Sequence, residues 1–240
     1  MAHHPLLTRR RVHVPLRFAN LGMRLGRLVD RQLWKWRLAR LWQTGGPRTR
    51  IKPTRYAQLA YFAQHVVDEG IAGDYAEFGV WRGGSMHLVA NLWRGQHRAL
   101  LGFDSFQGLP RPDPVRDGAG CVEHLFADVD VDEVRAFFRD QGLDDVELVQ
   151  GWFEDTIDRV SDHRLALCHI DADLYESVKL ALEATYDRVE PGGILLFDDY
   201  RHPECAGATI AVEEFFAHRP EQIQQWPGVD CSCFVQKGVS

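Results

Sequence analysis

The chain reads as an α/β protein: a mostly parallel sheet with helices on both faces. Three observations carry this expectation. Short apolar runs alternate with segments of helical period from Asp74 onward, glycines crowd the turn after the first run, and acidic residues stand where successive runs end. Apolar strands separated by helices imply a parallel sheet covered on both sides.

Residues 1–14 show no apolar period and read as disordered. From Pro15 to Trp42, apolar residues recur at helical spacing (Phe18, Leu21, Leu25, Leu28, Leu33, Trp34, Leu38, Leu41, Trp42) with arginines on the other face. One or two amphipathic helices are expected there. The Gly/Pro-rich "QTGGPRTRIKPT" ends this segment, which gives a basic helical arm over 1–54 and one domain over 55–240. A helix over Arg55–Glu69 is stopped by Gly70.

"DYAEFGV" is then a first strand and "SMHLVANLWR" a helix. "RALLGFD" is a second strand, "DEVRAFFRDQGL" a helix, "VELVQG" a third strand and "LALCHIDAD" a fourth. "LYESVKLALEATYDRV" is helical, "GILLF" a fifth strand and "GATIAVEEFFAH" a helix. "IQQW" and "CSCFVQK", joined by "PGVD", are expected to pair as a hairpin, which makes seven strands. Gly108–Gly120, "GLPRPDPVRDGAG", follows the second strand on the edge where open α/β sheets bind ligands, and is expected to be a lid.

A length of 240 residues with 45% hydrophobic content suits one large domain with an appendage. No run of 18 apolar residues occurs, so a membrane-spanning helix is not expected. The first sixty residues lack the pattern of a signal peptide. Cys121, Cys168, Cys205, Cys231 and Cys233 are odd in number and scattered, which argues against a disulfide framework and for a cytoplasmic setting. Cys231 and Cys233 lack the spacing of a structural zinc site.

The net charge of -6 hides an asymmetry: residues 1–55 hold 14 Lys and Arg against one acid, Asp30. The arm is expected to dock on the acidic body or on a second subunit. Trp34, Trp36 and Trp42 favour a homo-oligomer. Nucleic acid is not expected as a partner, and peripheral membrane contact is the lesser alternative.

"AEFGVWRGGS" places Gly79, Gly83 and Gly84 between the first strand and its helix. They allow either a plain tight turn or the close approach of backbone to a ligand. No Lys precedes Ser85, so this is not a Walker-type phosphate cradle. Asp104, with Ser105 beside it, ends the second strand, where a carboxylate accepts ribose hydroxyls. Glu77, next to Phe78 inside the first strand, suits an amine-bearing ligand. S-adenosylmethionine carries an ammonium and a sulfonium, and NAD carries neither. Trp152 and Phe153 in "QGWFED" either cover an adenine or fill the core.

"HIDADLY" supplies Asp171 and Asp173 at the end of the fourth strand, and "LFDDY" supplies Asp198 and Asp199 at the end of the fifth. Neighbouring strands lie about 4.8 Å apart, so these acids face one small volume and raise each other's pKa. Helix capping explains Asp173 but hardly all four. A hard divalent cation offsets the repulsion, and carboxylate-only ligands suit Mg²⁺ better than Zn²⁺.

Five motifs, "AEFGVWRGGS", "GFDSFQGLP", "GWFEDT", "HIDADLYES" and "GGILLFDDY", span about Tyr56 to Lys237 and together resemble the macrocin O-methyltransferase (TylF-type) family. Its members are Mg²⁺- and S-adenosylmethionine-dependent enzymes that methylate sugar hydroxyls in natural-product biosynthesis. The resemblance implies a Rossmann-like class I methyltransferase fold and a small-molecule hydroxyl acceptor, a sugar or glycoside. It matches Asp104 to the ribose acid, Asp171, Asp198 and Asp199 to the metal ligands, and Asp173 to a general base.

With the reading above, the cofactor-binding candidates are Glu77, Phe78, Gly79, Gly83, Ser85, Asp104, Ser105, Trp152, Phe153 and Asp171. The catalytic candidates are Asp173, Asp171 and His202. Asp198→Ala is expected to lose metal-dependent turnover and retain the fold, because a repulsive acid is removed. A metal-dependent glycosyltransferase using D-x-D is the alternative, but it leaves Glu77, the glycine loop and the Asp198–Asp199 pair unexplained.

Overall fold

A computed structural model describes residues 32–238 and divides the chain into two compact units, residues 1–40 and 41–240. In the first unit, residues 32–40 are helical, Leu33 and Trp36 are exposed, and the Arg40 guanidinium lies 5.8 Å from the Trp36 ring centre. The disorder expected over 1–14 and the helix expected before residue 32 fall outside the described residues. No helix among the described residues is long and apolar enough to cross a membrane.

The larger unit opens with helical residues 41–45 and a 3-10 turn, Gly46–Arg48. Helix α1 (Pro53–Asp68) starts on a proline, whose missing N–H costs nothing in a first turn. Tyr56, Leu59, Ala60 and Ala63 form its buried stripe at helical spacing. The chain then alternates as expected through β1 (Asp74–Phe78), α2 (Gly84–Leu92), β2 (Leu100–Asp104), α3 (Val131–Asp140) and β3 (Val146–Gln150). A single turn, α4 (Phe153–Thr156), precedes β4 (Leu165–Ile170), α5 (Tyr175–Thr185), β5 (Val189–Asp198), α6 (Ala206–Phe216) and β6 (Ser232–Gln236).

The sheet order is β3-β2-β1-β4-β5-β6, parallel except for β6, which runs antiparallel to β5. Every residue of β4 is buried, as a strand covered on both faces requires. Phe78 of β1 and Phe103 of β2 stack with centres 4.7 Å apart at the heart of the core. The chain winds outward in one direction through β1, β2 and β3, then returns to the far side of β1 with β4. Strand order reverses between β1 and β4, and a crevice opens at their carboxyl ends.

The sheet has six strands, not the seven expected. "IQQW" makes one isolated bridge, Gln224 to Phe234, instead of a hairpin strand. Pro227 follows at once and supplies no ladder donor. The Trp226 ring turns away to stack on Phe62 of α1, 5.5 Å between centres.

Candidate functional site

At the carboxyl ends of the strands lies a cavity of about 260 Å³. Its walls bring together Gly79 and Ser85 from the glycine loop, Asp104 and Ser105 after β2, and Trp152 and Phe153 after β3. Asp171 and Asp173 after β4, and Asp199 and His202 after β5, close the other end. Leu109, Pro110 and Gly120 of the expected lid line it too, as does Cys121 just after it. Thr49, Arg50 and Ile51, assigned from sequence to the arm, also reach this wall. Glu77, Phe78, Gly83 and Asp198 do not line the cavity.

The glycine loop is locked to β4. Gly79 has a φ of +95°, and a Cβ there would lie 1.9 Å from the Asp171 carbonyl oxygen, so no other residue fits. Gly79 N–H donates to the Phe103 carbonyl (2.9 Å) and Asp171 N–H to the Phe78 carbonyl (2.8 Å). Asp104 holds the same loop: its Oδ2 accepts from Val80 N–H and Trp81 N–H, both at 2.8 Å, and its Oδ1 from Phe106 N–H at 2.7 Å. Burial pushes this carboxyl's pKa up, while the three backbone donors pull against it. The sequence pointed to a carboxylate free for a ribose. Only Oδ1 retains an unspent lone pair.

Glu77 is not an open partner for a ligand amine. It is fully buried, with Oε1 accepting from Ser85 Oγ and Oε2 from Tyr75 Oη, both at 2.5 Å. The residue still belongs to β1, in register with Gly102 and His169, so its side chain lies beneath the cavity floor. Ser85 is its contact with the cavity. Phe78 is likewise a core ring, stacked on Phe103.

Asp198 has two cationic neighbours that sequence reasoning missed. Arg55 Nη1 donates to its Oδ1 at 2.6 Å, and His169 Nε2 lies 2.6 Å from its Oδ2. Burial opposes the charged carboxylate, but the bond and charge of His169, then those of Arg55, outweigh it and hold the pKa below the usual range. Burial alone would lower His169; Asp198 and Glu77 instead raise it to about 10. His169 Nδ1 faces Glu77 Oε2 at 3.8 Å, so one buried polar line runs from Ser85 through Glu77 and His169 to Asp198 and Arg55. In sequence, His169 looked like part of an apolar strand and Arg55 like a surface residue at a helix start.

The other three acids carry the repulsion that the sequence predicted. Burial, then Asp198 and Asp199, lift Asp171 well above the carboxylate range. Burial and then Asp199 raise Asp173 to about 8, and burial with Asp198 raises Asp199. Asp173 and Asp199 both adopt left-handed backbone (φ 57° and 61°), a conformation that Asp tolerates better than most residues and that recurs at functional sites. His202 closes the turn after them, its N–H donating to the Asp199 carbonyl at 3.0 Å.

The macrocin O-methyltransferase (TylF) family model matches residues 42–229. The 8-demethyl-8-(2,3-dimethoxy-alpha-L-rhamnosyl)-tetracenomycin-C 4'-O-methyltransferase of Streptomyces olivaceus is 35% identical over 171 residues, 67% of this chain and 66% of its own length. The mycinamicin III 3''-O-methyltransferase of Micromonospora griseorubida is 31% identical over 173 residues, 67% of this chain and 68% of its own. The matched stretch thus spans about two thirds of these relatives. Among solved structures, the O-methyltransferase NovP superposes with a TM-score of 0.69 at 29% identity, covering 79% of this chain and 81% of its own. The calicheamicin methyltransferase CalS11 gives 0.70 at 25%, covering 80% and 81%. The fold is the Rossmann-like methyltransferase fold, and the chain belongs to the macrocin O-methyltransferase (TylF) family.

Proposed function

We propose that this protein transfers the methyl group of S-adenosylmethionine to a hydroxyl on the sugar of a glycosylated natural product, with Mg²⁺ as its divalent cation. One observation carries the reading. The Asp171, Asp173 and Asp199 carboxylates line one cavity together with a glycine loop pinned by Asp104. The names of the relatives, which are O-methyltransferases of a rhamnosyl-tetracenomycin and of a mycinamicin, support the acceptor class.

S-adenosylmethionine, when bound, supplies an electrophilic methyl carbon. The loop after β1 offers it close backbone approach, Oδ1 of Asp104 accepts from a ribose hydroxyl, and Trp152 or Phe153 covers the adenine. Ser85 Oγ donates to Glu77 and keeps its own lone pairs for the ligand's ammonium.

The donor set suits Mg²⁺. Asp171 and Asp199 would hold the cation through carboxylate oxygens, with Asp198, engaged by Arg55 and His169, behind them; the raised pKa values of Asp171 and Asp199 mark the repulsion that a hard cation would relieve. Bound there, a divalent cation would supply Lewis-acid chemistry that lowers the pKa of an acceptor hydroxyl. As the acceptor oxygen bonds to the methyl carbon, the carbon–sulfur bond breaks with its electrons leaving on sulfur. Asp173, on the cavity wall, would take the hydroxyl proton. His202, on the same wall, is the second candidate for that role.

The test combines purified protein, S-adenosylmethionine and Mg²⁺ with glycosylated natural products, read by mass spectrometry for products heavier by one methyl group. Calorimetry with S-adenosylhomocysteine against UDP separates this function from glycosyl transfer. Tighter binding of UDP would overturn it.

A further inference from the structure

Cys121 and Cys205 stand 84 positions apart in sequence, yet their Sγ atoms are 3.6 Å apart on the cavity wall. Cys205 Sγ is also 3.5 Å from Asp173 Oδ1. Ligand atoms of Cys121, Asp173 and Cys205 all lie within 4.8 Å of one another, and Cys205 belongs to a second such set with Asp199 and His202. Both thiols are free and buried.

These spacings are those of a thiolate metal centre. Two Zn–S bonds of about 2.3 Å at a tetrahedral angle hold their sulfurs about 3.8 Å apart. One such bond beside a Zn–O bond of about 2.0 Å holds sulfur and oxygen about 3.5 Å apart. The side chains therefore already stand near ligand positions, and little movement is needed to close around an ion.

We propose that Cys121, Cys205 and Asp173, with His202 as fourth ligand, form a site for a thiophilic divalent cation of the zinc and cadmium class. It is distinct from the oxygen-only set of Asp171, Asp198 and Asp199, because soft sulfur ligands select against Mg²⁺. Binding is balanced by proton release: the cation and two thiols give a dithiolate complex and two protons to solvent.

The three elements involved are far apart in the chain. Cys121 directly follows the expected lid, Asp173 belongs to the turn after β4, and Cys205 to the loop ahead of α6. One ion therefore fixes the chain just after the lid and engages the carboxylate proposed as base, so the site is inhibitory. Binding itself does not depend on the methyl-transfer reading and is measured without turnover.

The experiment titrates the full chain with Cd²⁺ in excess Mg²⁺ and a phosphine reductant, following the thiolate-to-metal charge-transfer absorbance, and then records X-ray absorption of the zinc-loaded protein. Expected are one equivalent of Cd²⁺ with a thiolate band, and a zinc shell with two sulfurs at about 2.3 Å. C121S and C205S should each weaken binding by more than about tenfold, because loss of even an outer partner costs that much; C231S should bind as the parent does. Absence of the band, a shell of nitrogen and oxygen alone, or parental affinity in both C121S and C205S would each overturn the proposal. The first two readouts need no variant, so a misfolded substitution does not protect it.

Discussion

Arg55 Nη1 lies 2.6 Å from Asp198 Oδ1, in a buried ion pair that joins the first turn of α1 to the end of β5 across 143 positions. The two side chains are 8% and 2% exposed, so water does little to screen them. Breaking a buried pair by removing one partner typically costs about 3–5 kcal/mol. His169 remains beside Asp198 when Arg55 is lost, so R55A should fall toward the lower end, about 3 kcal/mol, in urea unfolding. A change under about 1 kcal/mol would mean that the pair is not formed in solution.

The same pairing reverses an expectation drawn from sequence, that removing Asp198 relieves repulsion and spares the fold. Asp198 is the compensated acid, while Asp199 carries a raised pKa from burial and from Asp198. D198N should therefore destabilise the metal-free protein, and D199N should stabilise it or leave it unchanged. Calorimetric Mg²⁺ binding should be lost in both. Parallel melting curves in chelator test the contrast, and an Asp199 variant less stable than the Asp198 variant would refute it.

His169 sets a pH window. Its folded pKa, about 10, lies above the ordinary 6.5, so its contribution is complete below about pH 6.5 and is lost as pH climbs through about 10. Asp198, held below 3.8, contributes above that value and loses its effect only as pH falls through its depressed pKa. The stability difference between wild type and H169Q should thus be largest near pH 6 and shrink toward pH 10. A difference independent of pH over that range would argue for a neutral imidazole.

Asp173 gives the opposite slope. Its folded pKa of about 8 exceeds the ordinary 3.8, so the native state binds this proton more tightly than the unfolded chain does. Metal-free protein should lose stability as pH rises from about 4 to about 8, and D173N should flatten that dependence. Added Mg²⁺ should flatten it too, by offsetting the carboxylates. Thermal unfolding in chelator and in Mg²⁺ reads both effects.

At the donor end, G79A should be among the most damaging single substitutions, because its methyl meets the Asp171 carbonyl oxygen at 1.9 Å and both partners are backbone. A cost above about 4 kcal/mol, or failure to fold, is expected. D104N is milder. One amide face must turn an NH₂ toward backbone N–H groups, which costs about 1–3 kcal/mol and should weaken S-adenosylhomocysteine binding in calorimetry. Parental affinity in D104N would remove Asp104 from the donor site.

The sequence was most informative where chemistry and period coincide. Apolar strands ending in Asp104, Asp171 and Asp198 could be read directly, because a parallel sheet puts all such ends on one edge. What it hid were partners chosen by packing. Nothing in "LALCHI" distinguishes His169 from a core residue, and Arg55 meets Asp198 only because α1 lies on that side of the sheet. Cys121 and Cys205 looked unrelated for the same reason. The seventh strand failed on a local competition, with Pro227 and the Trp226 stack outweighing two ladder bonds at Gln224.

Ser85, Glu77, His169 and Asp198 make one buried polar line, hydrogen-bonded at its two ends and 3.8 Å apart between Glu77 and His169. Variation there is constrained as a group: a substitution at one position strands a buried polar atom at its neighbour, so tolerated changes must come in concert. The rim carries no such obligation. Attempts to redirect this protein toward other acceptors belong on Pro110, a half-buried cavity residue outside that line.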